Sequence, residues 1–308
     1  MSTRDRVTDA AFLAGWRVVR WLPEWVADPV FERLADVAWR RRTAGVGQLE
    51  RNLRRVVGPD LPAQQLRELS RAALRSYFRY WEEAFRLPAW SREQILARIR
   101  VYDERLLRSA YASGRGVVIS LPHCANWDLA GAWAASTGMP LTTVAERLKP
   151  ESLFDRFVAY REGLGMEVLP LTGDPGVYRA LAERLRRGGM VCLVADRDLT
   201  AAGVRVEFFG ETATMPPGPA ALARATGAAL LPATLWYDDE RLNLCINDEV
   251  SVPPTGTRAE QLAAMTQHVA SVFEASIREH PQDWHMLQRL WLSDLGSETS
   301  HRTQEAQL

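Results

Sequence analysis

From Gly116 onward, short apolar runs alternate with segments of helical period. Residues 117–121, 141–144, 166–169, 190–195 and 229–235 are apolar runs bounded by Gly, Pro or polar residues. Runs of that length and setting read as buried strands. Between them, 129–137, 151–163, 175–187 and 219–226 read as helices, stopped by Gly138, Gly163 or Gly165, Gly188 and Gly227. Residues 242–246 read as a last strand and edge hairpin partner, 258–280 as a long helix, and 284–291 as a terminal helix. Strand and helix in alternation predict an α/β fold with a central, mostly parallel sheet flanked by helices.

The first hundred residues carry the helical period almost throughout. In 8–22, Phe12, Leu13, Trp16 and Val19 fall near one face, Thr8 can cap the start and Pro23 marks the end. A second helix opens at Asp28, has Pro29 in its first position and runs to Arg42, with Val30, Phe31, Leu34, Val37 and Ala38 at helical spacing. Residues 51–57 close at Gly58-Pro59, 62–85 form a longer helix, and Ser91 can cap a further unit. Residues 99–102 read as a short strand, and 103–113 as a helix ending at Gly114. The expected organisation is a single domain over 1–296, with a helical membrane-facing portion in 1–100 and an α/β core in 101–296. The polar residues 297–308 are expected to be a disordered tail.

Composition adds one asymmetry. The formal net charge is +0, which argues against whole-protein attraction to nucleic acid. Residues 1–57 nevertheless hold eleven arginines against seven acids, with Trp16, Trp21, Trp25 and Trp39 among them. Amphipathic helices edged with tryptophan and arginine suit a membrane interface, and the plain alternative is that they pack on the core. Lys149 is the only lysine, which fits either a GC-rich genome or a use of arginine for bidentate phosphate contacts. Cys124, Cys192 and Cys245 are dispersed, without C-x-x-C, as buried thiols of a reducing compartment are. There is no G-x-S-x-G elbow, no phosphate-binding G-x-x-x-x-G-K-[ST] loop and no H-E-x-x-H.

The chemistry centres on 116–128, GVVISLPHCANWD. A buried strand ends there in His123, and Asp128 falls in the first turn of the next helix, an H-x4-D spacing. An alcohol is a poor nucleophile until a base takes its proton, and histidine titrates in the range where that works at neutral pH. A carboxylate on its second nitrogen fixes the tautomer and stabilises the imidazolium. Asp128 is close enough in sequence to reach back to His123. The alternative is an aspartate that only stabilises a helix N-terminus. A second acidic site, Asp196-Arg197-Asp198, leaves another strand end. Strand C-termini of a parallel sheet share one edge, where ligands bind, so Asp196 can approach His123. The basic stretch from Glu146 and Arg147 to Arg156 and Arg161 suits the phosphates of a nucleotide-bearing donor or an anionic lipid head, or forms a solvated helix face. The small residues of 129–135 are expected in the floor of an apolar groove.

SLPHCANWD, ERLKPESLFDRFVAYREGLGMEVLP, VADRD, MPPGPAALARATGAALLPA and HPQDWHMLQRLW occur in this order over about residues 5–295. Together they resemble the bacterial lipid A biosynthesis (lauroyl) acyltransferase superfamily, and within it the mycobacterial branch acting on phosphatidylinositol mannosides. The resemblance implies a glycerolipid acyltransferase-like fold. It also implies transfer of a fatty acyl chain from acyl-CoA to the 6-hydroxyl of a mannose, or, as the alternative, to another glycolipid or lipid A-type hydroxyl. No metal or cofactor is implied, since acyl-CoA is a substrate. Expected partners are the acyl-CoA donor, the glycolipid acceptor and the inner membrane surface. The expected location is peripheral, on the cytoplasmic face of the plasma membrane, with no role for nucleic acid. His123 and Asp128 match the family's H-x4-D/E signature. Asp196 and Asp198 match a D-Q-D pair in which Arg197 replaces the glutamine. In the mannoside branch an acid at the Asp196 position pairs with the histidine, so His123 has two candidate partners. The resemblance thus implies His123, Asp128 and Asp196 as catalytic residues, and Arg161, Glu146, Arg197 and Asp198 as substrate contacts. A non-catalytic lipid-binding protein is the competing class, and the presence of both His123 and Asp128 speaks against it.

Overall fold

The computed structural model describes residues 19–43, 45–145, 151–170, 176–198 and 203–295, with the side chains of 151–153 outside that description. Most of the helix expected over 8–22, Glu146 and the expected tail 297–308 fall outside the described residues. Helix α1 (Glu24–Arg40) begins directly after Pro23, earlier than Asp28, and contains Pro29. The Pro23 carbonyl accepts from Val26 and Ala27 at 3.0 Å each, which starts the helix four residues early. Proline inside a helix forfeits one backbone bond. Tertiary contact offsets that loss. Ala27, Phe31 and Ala35 are buried, and the Asp36 carboxylate accepts from both Arg71 and Arg75.

Helix α2 (Val46–Val57) starts earlier than 51. Gly45 turns the chain at φ 92, and a Cβ there would stand 3.0 Å from Leu287 Cβ, so only glycine fits. Helix α3 (Ala63–Arg86) follows Pro62. Helix α4 (Arg92–Ala97) carries the expected Ser91 cap, completed by Gln94. Then come β1 (Ile99–Tyr102), α5 (Glu104–Ala112), β2 (Val117–Leu121), α6 (Trp127–Ser136), β3 (Leu141–Ala145), α7 (Glu151–Gly163) and β4 (Glu167–Pro170). They are followed by α8 (Val177–Arg186), β5 (Met190–Val194), β6 (Val204–Phe208), β7 (Glu211–Met215), α9 (Gly218–Thr226), β8 (Ala229–Tyr237), β9 (Leu242–Ile246), α10 (Arg258–Glu279) and α11 (Leu292–Leu295).

The main sheet runs β1-β9-β8-β2-β5-β3-β4. Every pair is parallel except β8–β9. Strand β9 is the hairpin partner expected, but it is not an edge, because β1 pairs along its other side from Ile99↔Leu242 to Tyr102↔Cys245. Strands β6 and β7 were not assigned from the pattern. They form a separate antiparallel pair whose two-residue turn, Phe209 at φ 53 and Gly210 at φ 75, has the left-handed backbone that tight hairpins need. Val206, Phe208, Ala213 and Met215 bury one face of it.

The segment 284–291 is not a helix. After a short 3-10 turn (Pro281–Asp283), Trp284 bridges to Cys124 and Trp291 bridges to Ala213. Both tryptophans are fully buried, and their N–H groups donate to Asp196 and to the Phe208 carbonyl. A helix would point them along one stripe and could not serve two sites this far apart in the chain. One apolar core continues from Val56 and Tyr80 through the sheet to Trp291. On the outer side of α1, Val30, Leu34 and Val37 are exposed, with Trp25 79% and the preceding Trp21 84% exposed. Among the described residues no helix is long and apolar enough to cross a membrane.

Candidate active site

Adjacent parallel strands bring the reactive groups together. Leu121 of β2 pairs with Val194 of β5, and the Ala195 N–H donates to the Leu121 carbonyl at 2.9 Å. Two residues further along each strand stand His123 and Asp196. His123 Nδ1 lies 2.5 Å from Asp196 Oδ1, and the His123 backbone N–H donates to Asp196 Oδ2 at 2.9 Å. The Trp284 indole N–H donates to the same Oδ2 at 3.0 Å.

Asp196 is completely buried. Burial alone would raise its carboxyl pKa, but the His123 charge and the hydrogen bonds from His123 and Trp284 outweigh that and hold it below the usual carboxylate range. With the carboxylate ionised, His123 Nδ1 carries the proton and Nε2 is left as the basic nitrogen. The His123 side chain is 33% exposed. Among the described residues no hydrogen bond engages Nε2. The ring meets Trp127 edge-on at 5.6 Å. A tautomerically fixed, reachable imidazole of this kind can take a proton from a bound hydroxyl.

The loop carrying His123 is fastened from behind. Ala125 sits at φ 45, a backbone that costs a non-glycine residue free energy. Its N–H donates to the Asp283 carbonyl at 2.9 Å, and the His285 N–H donates to the His123 carbonyl at 2.8 Å. Asn126 caps α6 through the Leu129 N–H at 2.9 Å, while its own amide donates to Glu83 Oε2 at 2.9 Å. Glu83 also accepts from the Tyr237 hydroxyl at 2.7 Å and from Arg79 at 3.0 Å. Behind this wall the Ser76 hydroxyl donates to Asp283 at 2.6 Å and contacts His285 Nε2 at 2.9 Å. Serine stands between the acid and the imidazole there, so this buried trio lacks the order of a hydrolase triad, in which histidine is in the middle. Burial pushes Asp283 up to about 6 and His285 down to about 3.

Asp128 does not reach His123. It lies in the first turn of α6, where its Oδ1 accepts from Arg161 Nε at 2.7 Å and its Oδ2 from the Tyr80 hydroxyl at 3.1 Å. Asp128 is 1% exposed. For Arg161, burial favours the neutral form, and the adjacent Asp128 charge outweighs it, so the guanidinium pKa is raised. The Tyr80 hydroxyl is pushed well up by burial and then by the Asp128 charge. Tyr80 also stacks on Trp127 at 4.4 Å. The H-x4-D spacing therefore joins α6 to α3 and α7 beside the histidine.

Asp198 accepts from the Gly203 N–H at 2.7 Å and so shapes its own loop. Arg197 is half-buried, and among the described residues its side chain has no hydrogen-bond or ion-pair partner. Glu146 lies outside the described residues. The expected groove floor over 129–135 is filled: Leu129, Ala130, Ala132, Trp133 and Ala134 are buried, and a Cβ at Gly131 would stand 2.6 Å from the Met166 sulfur. Partly exposed aromatic rings connect to the histidine through Trp127 and Tyr80. Trp81 meets Tyr80 at 5.2 Å and Phe157 at 5.9 Å. Among the described residues no group of three or more His, Cys, Asp or Glu side chains is placed to hold a metal ion.

Sequence reasoning missed Trp284, Tyr80, Trp127 and Glu83 as parts of this site. Trp127 lies in SLPHCANWD and Trp284 in HPQDWHMLQRLW, so their signal is present in the sequence without a partner. Tyr80 and Glu83 carried none, because α3 reads as an ordinary amphipathic helix.

A profile of the bacterial lipid A biosynthesis acyltransferase family matches residues 2–293. A phosphatidylinositol mannoside acyltransferase of Mycolicibacterium smegmatis is 48% identical over 298 residues, covering 96% of this chain and 95% of that protein. Phosphatidylinositol mannoside acyltransferases from two strains of Mycobacterium tuberculosis are each 45% identical over 297 residues, covering 96% of this chain and 92% of theirs.

Proposed function

The chain belongs to the bacterial lipid A biosynthesis acyltransferase family, and we propose that it moves a fatty acyl chain from acyl-CoA to the 6-hydroxyl of a mannose of a phosphatidylinositol mannoside. The observation that carries the mechanism is the short contact between His123 and Asp196. Nε2 takes the proton of the acceptor hydroxyl as its oxygen attacks the thioester carbonyl. The C–S bond then breaks, and the imidazolium returns the proton to the departing thiolate. No acyl-enzyme forms, since the acceptor itself is the nucleophile. Asp196 stabilises the imidazolium, the role of the acid in a serine protease triad. Asp128 and Arg161 act together as one wall of the acceptor pocket, and Arg197 is our candidate contact for a phosphate of donor or acceptor. The rings of Trp127, Trp81 and Phe157 are our candidate flank for the acyl chain. A chain of ~15 methylenes at ~0.8 kcal/mol each gains on the order of 12 kcal/mol as an upper bound on such a surface.

Val30, Leu34 and Val37, exposed along one face of α1, with Trp21 and Trp25 exposed at its start, support a peripheral position at a membrane surface, and an acyl-CoA donor would place it on the cytoplasmic face. Transfer from palmitoyl-CoA to purified phosphatidylinositol mannosides, assayed beside a lipid A precursor and a glycerophosphate, tests the acceptor. Product with the mannosides alone is expected. Product only with another acceptor would replace the mannoside reading by a different member of the same reaction class.

A further inference from the structure

Trp284 is fully buried, yet its single polar atom is directed at one acceptor. Its N–H donates to Asp196 Oδ2 at 3.0 Å, and the same oxygen takes the His123 backbone N–H at 2.9 Å. The other oxygen is left to face His123 Nδ1. The two carboxylate oxygens therefore have different duties. Oδ2 is pinned by two fixed donors, and Oδ1 is aimed at the imidazole. The indole cannot swing away, because its ring packs against Phe208 at 5.9 Å, Phe209 at 6.1 Å and Trp291 at 6.1 Å. Its backbone is also tied, through the bridge to Cys124 next to His123.

We propose that Trp284 is a positioning residue for acyl transfer: through Asp196 it fixes both the aim and the basicity of the carboxylate that serves His123. This rests on the reading of His123 as the base. Indole is a donor only, so it cannot compete for the imidazole proton. A donor on Oδ2 draws charge away from Oδ1. Without it, the carboxylate rotates more freely and holds the imidazolium more tightly. The first change lowers the rate. The second raises the pH at which His123 gives up its proton. Trp284 is sealed off from the solvent that a substrate would displace, so substrate affinity has no reason to change.

The test uses the full chain with palmitoyl-CoA and phosphatidylinositol mannosides. Trp284→Phe should lower kcat about ten- to hundredfold, the worth of one hydrogen bond to a charged group. KM should stay within about twofold, and the acid limb of the kcat–pH profile should move to higher pH. The 15N-imidazole titration of His123, which needs no turnover, should move the same way. In an Asp196→Asn background Trp284→Phe should cost less than about twofold in single-turnover rate. If the phenylalanine variant does not fold, benzothienylalanine at 284 keeps the bicyclic shape without the N–H and should give the same shifts. An unchanged His123 titration, or an equal loss in the Asp196→Asn background, would overturn the proposal. Full turnover by His123→Ala would overturn the base reading instead, while a Trp284-dependent His123 titration would still stand.

Discussion

His123 Nδ1 lies 2.5 Å from Asp196 Oδ1, although 73 residues separate them, while Asp128, only five residues away, is bonded to Arg161. Sheet register brings the distant acid in, and the first turn of α6 carries the near one away. The two aspartates therefore differ in what their loss should do.

Removing the charge at 196 should affect chemistry. Asp196→Asn is expected to lower kcat about 10³- to 10⁴-fold, as loss of the orienting acid does in a histidine-based triad. Removing Asp128 should affect folding first, because it strands the buried Arg161 cation. Loss of one partner of a buried ion pair costs about 3–5 kcal/mol. Thermal melts beside single-turnover rates separate the two. An Asp128→Ala variant as stable as the parent would contradict this division.

Much of the architecture was legible. The strands at 99–102 and 117–121 have the bounds that the pattern predicts, and the second is an apolar run between Gly116 and Pro122, which admits few alternatives. The segment 284–291 and the start of α1 depart from the pattern for one cause, contact between distant segments. Trp284, Leu287 and Trp291 have helical spacing, yet bridges to Cys124 and Ala213 extend that segment. Pro29 reads as a helix start, yet the packing of α1 on α3 carries the helix through it. The β6–β7 hairpin is local instead, and the alternation of Val204, Val206 and Phe208 with Arg205 and Glu207 is the signal of its first strand. In the site, the sequence narrowed the partner of His123 to two carboxylates. Choosing between them needed the pairing of β2 with β5.

Acid stability should be shaped by the pair behind the loop. His285 is held down to about 3 by burial, below its ordinary 6.5. Its contribution is therefore present above about pH 6.5 and lost as pH falls towards 3. Asp283 is held up to about 6 from 3.8. Its contribution has the opposite sign, present below about 3.8 and lost as pH rises through 6. The two oppose each other between pH 4 and 6. Asp283→Asn should therefore steepen the fall in melting temperature over that range, and His285→Gln should flatten it. Parallel melting curves in all three proteins would refute the assignment.

Gly116 opens the strand that delivers His123. It has φ +84, and a Cβ there would stand 2.4 Å from the Leu185 carbonyl oxygen. Gly116→Ala should cost at least about 1–3 kcal/mol from the backbone conformation alone, measured by denaturant titration. A loss under about 0.5 kcal/mol would mean the strand entry is softer than described.

Membrane docking through α1 predicts a split between binding and folding. Trp25 and Leu34 are exposed, so Trp25→Ser with Leu34→Ser should leave the melting temperature nearly unchanged. Co-sedimentation with vesicles of anionic phospholipid should fall at least about tenfold, since burying one such side chain is worth roughly 1.5–3 kcal/mol. Undiminished sedimentation would move the docking surface elsewhere.

We propose His123 as the base for acyl transfer. Single-turnover transfer from palmitoyl-CoA to phosphatidylinositol mannosides by His123→Ala, with palmitoyl-CoA binding measured on the same preparation, tests it most directly. A rate at least about 10³-fold below the parent, with donor binding retained, is expected. Transfer within tenfold of the parent rate would contradict it.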